Sequence, residues 1–301
     1  MEDFYFLAIG EMKRTVVIMS DYVDIGKEAD RLKILLKDKK STLPLTNVDG
    51  ILIYGKATIS SDAISLCAKN CIPLIFLSKM GNIKALIVGP DLSSGRNRRL
   101  KQASLYFKKR LEVAKYIVKK KILEIEYVFD LELENLKRAT DAVPDFSRLL
   151  GIEGVASRQM YTALNELIAG SDFVFTERSY NPPKDEVNAV LSYVYTLGYN
   201  LALGLITLQG FDPYISFLHA KRGEHASFAS DLVEVIRPHL TYLVGELIKE
   251  KKLLKTHFDK EKETFYLKKT ALNTILERIA SERDNLIALL KELLLEIENF
   301  P

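Results

Sequence analysis

The sequence predicts an α+β fold: a small β-rich N-terminal domain over residues 1–88, a linker at 89–95, and a larger all-α C-terminal domain over 96–301. Three observations carry that expectation. Short apolar runs rich in β-branched residues crowd the first part of the chain. A cluster of glycine, proline and serine breaks the pattern at 89–95, and beyond it the apolar spacing becomes helical.

The first strand signal is TVVIM at 15–19, and the second is GILIYG at 50–55, bounded by glycines. IPLIFL at 72–77 and ALIV at 85–88 follow, separated by the turn residues Met80, Gly81 and Asn82. Between the second and third signals, Ser60 or Ser61 offers an N-cap for a short helix through Ala63, Leu66 and Cys67. After the linker, Leu100, Phe107, Leu111, Ala114, Val118 and Ile122 trace one apolar helix face. Lys101, Lys108, Lys115 and Lys119 occupy another face. Further helices are expected at about 131–142, 152–169, 185–208, 226–250 and 270–299.

Composition sets outer limits. The 301 residues allow two domains of ordinary size, and 48% apolar with 28% charged residues is the balance of a water-soluble globular chain. No run of 18 or more uncharged apolar residues appears, so no membrane-spanning helix is expected, and the opening MEDFYFLAIGEMKR has acids where a secretion signal has bases. The expected location is the cytoplasm. Cys67 and Cys71 lie four apart and are expected to be small core residues, while the lack of CxxC excludes a zinc ribbon.

The net charge of +3 points to no partner, but its distribution does. From Arg96 to Lys121 there are 11 Lys or Arg and one acid, Glu112. The sign then reverses at Glu124, Glu126, Asp130, Glu132 and Glu134. Such a stripe suits either a phosphate-facing surface or a solvated helix face.

Four residues invite chemistry. His219 follows the apolar Phe217 and Leu218; Asp231 and Glu234 stand three apart on an expected helix; and Glu153 lies upstream in GIEG. Unpaired buried carboxylates cost several kcal/mol, so these groups need a cation, a metal or a proton. One histidine with two or three carboxylates can hold Mg²⁺ or Mn²⁺. Blander readings are a first-turn Glu153, a satisfied core His219 and an ion pair from the acids to Arg237. HExxH, GxxxxGK[ST], GxGxxG and GxSxG motifs are absent, and Glu234 and His239 are too far apart for a Glu-x-x-His pair. What remains is a hard-cation site on helices beside a basic helix, a combination that suits phosphodiester chemistry.

Four ordered motifs sharpen this: GIEG at 151–154; Arg178 to Asn181 running into PPKDEVNAVLSY at 182–193; GFDPYISFLH at 210–219; and DLVEVIRP at 231–238. With LPL at 43–45, IYG at 53–55, Ile59-Ser60, and IPLIFL at 72–77 ahead of Gly81, the chain resembles the CRISPR-associated Cas-one integrase family over nearly its whole length. Ser216 stands where a glycine is common, and Val235-Ile236 where Pro-Phe is common.

The resemblance implies a homodimer, with the N-terminal β-rich domain as a dimerisation candidate. It also implies a Mg²⁺ or Mn²⁺ site at Glu153, His219 and Glu234, with Asp231 as a further catalytic acid. The implied activity is endonuclease and integrase chemistry on double-stranded DNA, prespacer and CRISPR repeat. A 3′-hydroxyl of a short fragment attacks a phosphodiester at the edge of the repeat. Arg158, Lys221, Arg237, Arg98, Arg99 and Lys101 are the DNA-backbone candidates, and the roles of Asn188 and Ser192 stay open. The implied protein partner is the small Cas-two protein. Alternatives are a general metal-dependent nuclease on branched or repair DNA, and a non-catalytic DNA-binding scaffold.

Overall fold

In the computed structural model the described residues are 3–5, 14–37, 39–46, 48–78, 83–89, 93–179, 182–220 and 225–301. The expected turn at Met80, Gly81 and Asn82, residues 90–92 of the expected linker, residues 180–181 of the second motif, and Lys221 lie outside them.

The N-terminal apolar runs pair into one mixed sheet. Its strands are β1 (Asp3–Tyr5), β2 (Arg14–Glu28), β3 (Arg31–Leu36), β4 (Lys39–Pro44), β5 (Val48–Ile59), β6 (Leu74–Leu77) and β7 (Ile83–Ile87), in the order β4-β3-β2-β5-β6-β7 with β1 on β2. β2 pairs with β5 in parallel, with Val16 opposite Ile51 and Ile18 opposite Ile53; β5 also pairs in parallel with β6. A parallel pair needs a crossover. The β3–β4 hairpin supplies the first, and helix α1 (Ser61–Lys69) supplies the second. Ser60 caps α1 by accepting from the Ala63 amide at 3.2 Å, as the serine signal predicted.

β2 and β5 run well past the apolar segments that announced them. β3 and β4 were not anticipated, although β3 alternates exposed Arg31 with buried Leu32, Ile34 and Leu36. A bulge at Ser20–Tyr22 faces Gly55, whose φ is +99°. A Cβ at Gly55 would stand 1.9 Å from the Ser20 carbonyl oxygen, so only glycine fits.

The remainder is largely helical: α2 (Ser93–Phe129), α3 (Glu134–Ala142), α4 (Phe146–Leu167), α5 (Glu186–Leu208), α6 (Ser227–Lys249) and α7 (Lys269–Glu298). The C-terminal part is not all-α, because a hairpin of β8 (Phe258–Glu261) and β9 (Thr264–Leu267) precedes α7. Two compact units form, one from 1–102 with 203–212 and the other from 103–202 with 213–301. In the first unit, Gln102 donates to the Asp212 carbonyl at 2.9 Å and accepts from the Asp212 amide at 2.8 Å.

Several local expectations are corrected. Lys109, at φ −141° and ψ 29°, interrupts α2, so the apolar face changes across it. Leu100 is 60% and Phe107 82% exposed, whereas Leu105, Val113, Ala114, Ile117 and Val118 are buried. Asp145 caps α4 by accepting from the Arg148 amide at 2.9 Å, which puts Glu153 beyond the first turn and removes the helix-end reading. Ala226 stands at the N-cap of α6 without a side-chain bond, although Ser227 and Ser230 offer the cap in sequence. Cys67 is buried, but Cys71 is exposed at φ +54°. α5 is long and apolar enough to cross a membrane, contrary to expectation, yet 72% of its most apolar window is buried within the fold.

Candidate metal centre

Helices α2, α4 and α6 each send one charged side chain to a common point inside the helical unit. Lys121 comes from α2, Glu153 from α4 and Glu234 from α6; Lys121 is wholly buried and Glu234 only 2% exposed. Close packing at a glycine helps: a Cβ at Gly245 of α6 would stand 2.4 Å from a Leu167 methyl of α4. The Lys121 ammonium donates to Glu153 Oε1, to Ser157 Oγ at 2.8 Å and to Glu234 Oε2 at 2.5 Å. Ser157, one turn beyond Glu153, also donates to Glu153 Oε1 at 2.8 Å.

His219 arrives from the loop before α6. Its Nε2 is 3.8 Å from Glu234 Oε1, and its Nδ1 is 2.8 Å from Asp231 Oδ1. Asp231 does more than meet the ring. Its carboxylate accepts the amides of Phe217 at 2.6 Å, Leu218 at 3.0 Å and His219 at 2.9 Å. Both oxygens are engaged, so Asp231 fastens the histidine loop and fixes the ring rather than offering a free ligand atom. The two acids expected to share a face thus have different duties.

Arg237 takes the ion-pair role weighed for it. Its Nη2 lies 3.1 Å from Glu234 Oε1, and its guanidinium stacks 4.9 Å from the centre of the Tyr195 ring. Burial opposes ionisation of Glu234, but Arg237, Lys121 and His219 outweigh it and hold the carboxyl at about 2. Burial likewise opposes a charged His219, yet the hydrogen bond and charge of Asp231, with Glu234, raise its pKa above the ordinary histidine value.

Asn188 and Ser192, open in the sequence, brace Arg178. Asn188 Oδ1 accepts from Arg178 at 2.8 Å, and Ser192 Oγ accepts at 3.0 Å. Asp185 in turn accepts from the Asn188 side chain at 2.6 Å. Among the DNA candidates, Arg158 is exposed on α4. Arg99 and Lys101 are exposed in the other unit, where Arg98 instead donates to the Gln209 carbonyl at 2.8 Å. Lys121 escaped sequence reading because it ends a run of lysines that otherwise reads as surface charge.

The donor set fits a hard divalent cation: two carboxylates and an imidazole nitrogen whose opposite nitrogen is fixed by a carboxylate. A lysine ammonium already bridges the two glutamates. Among the described residues, no three His, Cys, Asp or Glu side chains stand close enough as placed to hold one ion.

Fold and site together define a class: a mixed β-sheet region followed by a largely helical part that carries an acid and histidine centre. The family model for CRISPR associated protein Cas1 matches residues 16–281. A CRISPR-associated endonuclease Cas1 of Thermodesulfovibrio yellowstonii is 30% identical over 278 residues, covering 85% of this chain and 87% of the relative. A partial Cas6-RT-Cas1–Cas2 complex contains a chain superimposing with TM-score 0.77 at 18% identity, covering 94% of this chain and 95% of that one. A TtCas1–DNA complex gives 0.72 at 19% identity, covering 98% and 99%. The chain belongs to the Cas1 family of CRISPR-associated proteins, DNA endonucleases and integrases of spacer acquisition.

Proposed function

We propose that Glu153, His219 and Glu234 hold a divalent ion, Mg²⁺ or Mn²⁺, at which this Cas1 endonuclease cuts and joins DNA. The observation that carries this is the set of fixed donors. His219 Nδ1 is tied to Asp231 at 2.8 Å, which turns Nε2 toward Glu234 Oε1 at 3.8 Å, beside Glu153. When bound, the ion supplies charge neutralisation at the scissile phosphate and activates the attacking hydroxyl.

The chain's own residues do the positioning. Asp231 keeps the imidazole in one orientation, and Arg237 holds Glu234 ionised. The 3′-oxygen of a short fragment forms the new phosphodiester as the bond to the target strand's own 3′-oxygen breaks. The attacking hydroxyl gives its proton to solvent, and the released oxygen takes one up from solvent. A histidine ligand tilts the ion choice toward Mn²⁺.

The substrate reading is double-stranded DNA, prespacer and CRISPR repeat, contacted through its phosphates by Arg158, Arg99 and Lys101. Lys221 and Arg98 remain weaker candidates, and Arg237 serves Glu234 instead. A Cas-two protein, a second copy joined through the 1–88 sheet region, and a cytoplasmic setting complete the reading. Structural neighbours in a complex with Cas2 and in a complex with DNA support a Cas-two protein and DNA as partners.

The test is strand transfer of a short fragment into a repeat-containing target with Mn²⁺. Wild type should join the strands, and His219→Ala should not while still binding DNA. Joining by His219→Ala at the wild-type rate overturns the site. Cutting of branched DNA without joining would favour a general nuclease, and no metal-dependent reaction at all would favour a scaffold.

A further inference from the structure

We propose that Lys121 is a positioning residue of this centre: a buried cation that grips one oxygen of each glutamate and so fixes how the pair, with His219 Nε2 beside Glu234, is presented to the ion. The inference rests on the metal reading above and adds a member to it.

The argument begins with saturation. An ammonium has three donors. Those of Lys121 meet Glu153 Oε1, Ser157 Oγ at 2.8 Å and Glu234 Oε2 at 2.5 Å, and the side chain is 0% exposed. Lysine is among the residues least often fully buried, yet Lys121 is wholly buried. It joins two carboxylates from different helices, which without a cation between them would repel and resist ionising together.

The second step concerns which atoms remain. Ser157 and Lys121 both address Oε1 of Glu153, so none of the bonds within the cluster uses its Oε2. On Glu234, Lys121 holds Oε2, while Oε1 faces Arg237 at 3.1 Å and His219 Nε2 at 3.8 Å. The lysine therefore takes one oxygen of each carboxylate, and the other oxygen of Glu234 is the one near His219.

Charge gives the third step. Glu153, Glu234 and Asp231 are three negative charges, and Lys121 and Arg237 are two positive ones, so 3 − 2 leaves a net charge of −1 with a neutral His219. Such a site attracts a divalent ion weakly for its number of acids. Affinity then depends on how well the ligands are held in place.

The experiment is titration of the full chain with Mn²⁺, read by the electron paramagnetic resonance of the free ion, with circular dichroism on every variant. Lys121→Met should weaken Mn²⁺ binding by about tenfold or more, the scale seen when groups that orient metal ligands are removed. Ser157→Ala, which deletes the lysine's neutral acceptor together with a donor to Glu153 Oε1, should weaken binding a few-fold. Binding by Lys121→Met as tight as wild type, or tighter, overturns the proposal and makes the lysine a mere competitor of the ion. Should Lys121→Met not fold, an unchanged affinity in Ser157→Ala overturns it. Glu153→Gln separates the two readings: equal Mn²⁺ binding by it and wild type sinks the metal site itself.

Discussion

The interiors of the two units are built differently. The sheet unit fills its centre with Val16, Ile18, Val23, Leu32, Ile34, Leu43, Ile51, Ile53 and Leu74, and polar groups are scarce there. The helical unit buries Lys121, Thr140, Glu186, Asn188, Ser216, Asp231, Glu234, Thr241 and Arg283 among its apolar residues. A buried ion pair is seldom the most stable filling of a core, so so many charges in one interior are a cost accepted for chemistry. The apolar centre sets stability, and the charged one sets what the protein does.

That contrast breaks most sharply on activity. Glu234→Ala should abolish metal-dependent strand transfer, whereas Ile53→Ala should leave the activity of the remaining folded molecules intact; one gel assay corrected for folded fraction checks both. On stability the two should be alike for different reasons. Glu234→Ala removes the carboxylate partner of Arg237 and one of the two of Lys121, and should cost about 3–5 kcal/mol by denaturant unfolding, against about 2–5 kcal/mol for the cavity left by Ile53→Ala. Equal tolerance of Glu234→Ala and a surface substitution would remove the comparison.

Acid sharpens it next. A carboxyl lowered from 4.5 to about 2 in the fold contributes stability above pH 4.5 that is lost as pH falls toward 2. For Glu234 this is about 3 kcal/mol, so metal-free wild type should lose that much over the interval and Glu234→Gln should not. His219 has the opposite sign. Its raised value stabilises the fold below the ordinary histidine range, and that contribution disappears as pH rises through the folded value. His219→Gln should therefore cost more at pH 5 than at pH 8 in thermal melts. The smallest effect belongs to the surface: Arg158→Ala should not shift melting measurably, yet should lower the salt slope of DNA binding by about one unit.

Much of this was legible, and what was missed shares a cause. The apolar runs located β2, β5 and β6 because burial on both faces leaves a continuous signal, while β7 was located by its apolar residues although 84–86 are exposed. β3 and β4 carry Arg31, Lys33, Lys39 and Lys40 at exposed or partly exposed positions, which mask the alternation. The pair Asp231 and Glu234 was visible from its spacing, but spacing alone cannot say that one carboxylate turns to a loop and the other to a lysine. Lys121 shows the limit most clearly. Its flanking lysines, Lys119 and Lys120, meet Asp141 and Glu296 at the periphery, and only the turn of the helix sends the third inward. Leu100 and Phe107 failed the other way, because the irregular residue Lys109 rotates the stripe.

The grip of Asp231 on three consecutive amides has a consequence for hydrogen exchange. Residues 217–219 lie outside any helix or strand, yet their N–H groups all end on one buried carboxylate. These three should form an island of slow deuterium uptake within an otherwise fast-exchanging connection, opening together as a single unit rather than fraying one by one. Residues 217–219 are thus tied down while owing nothing to secondary structure.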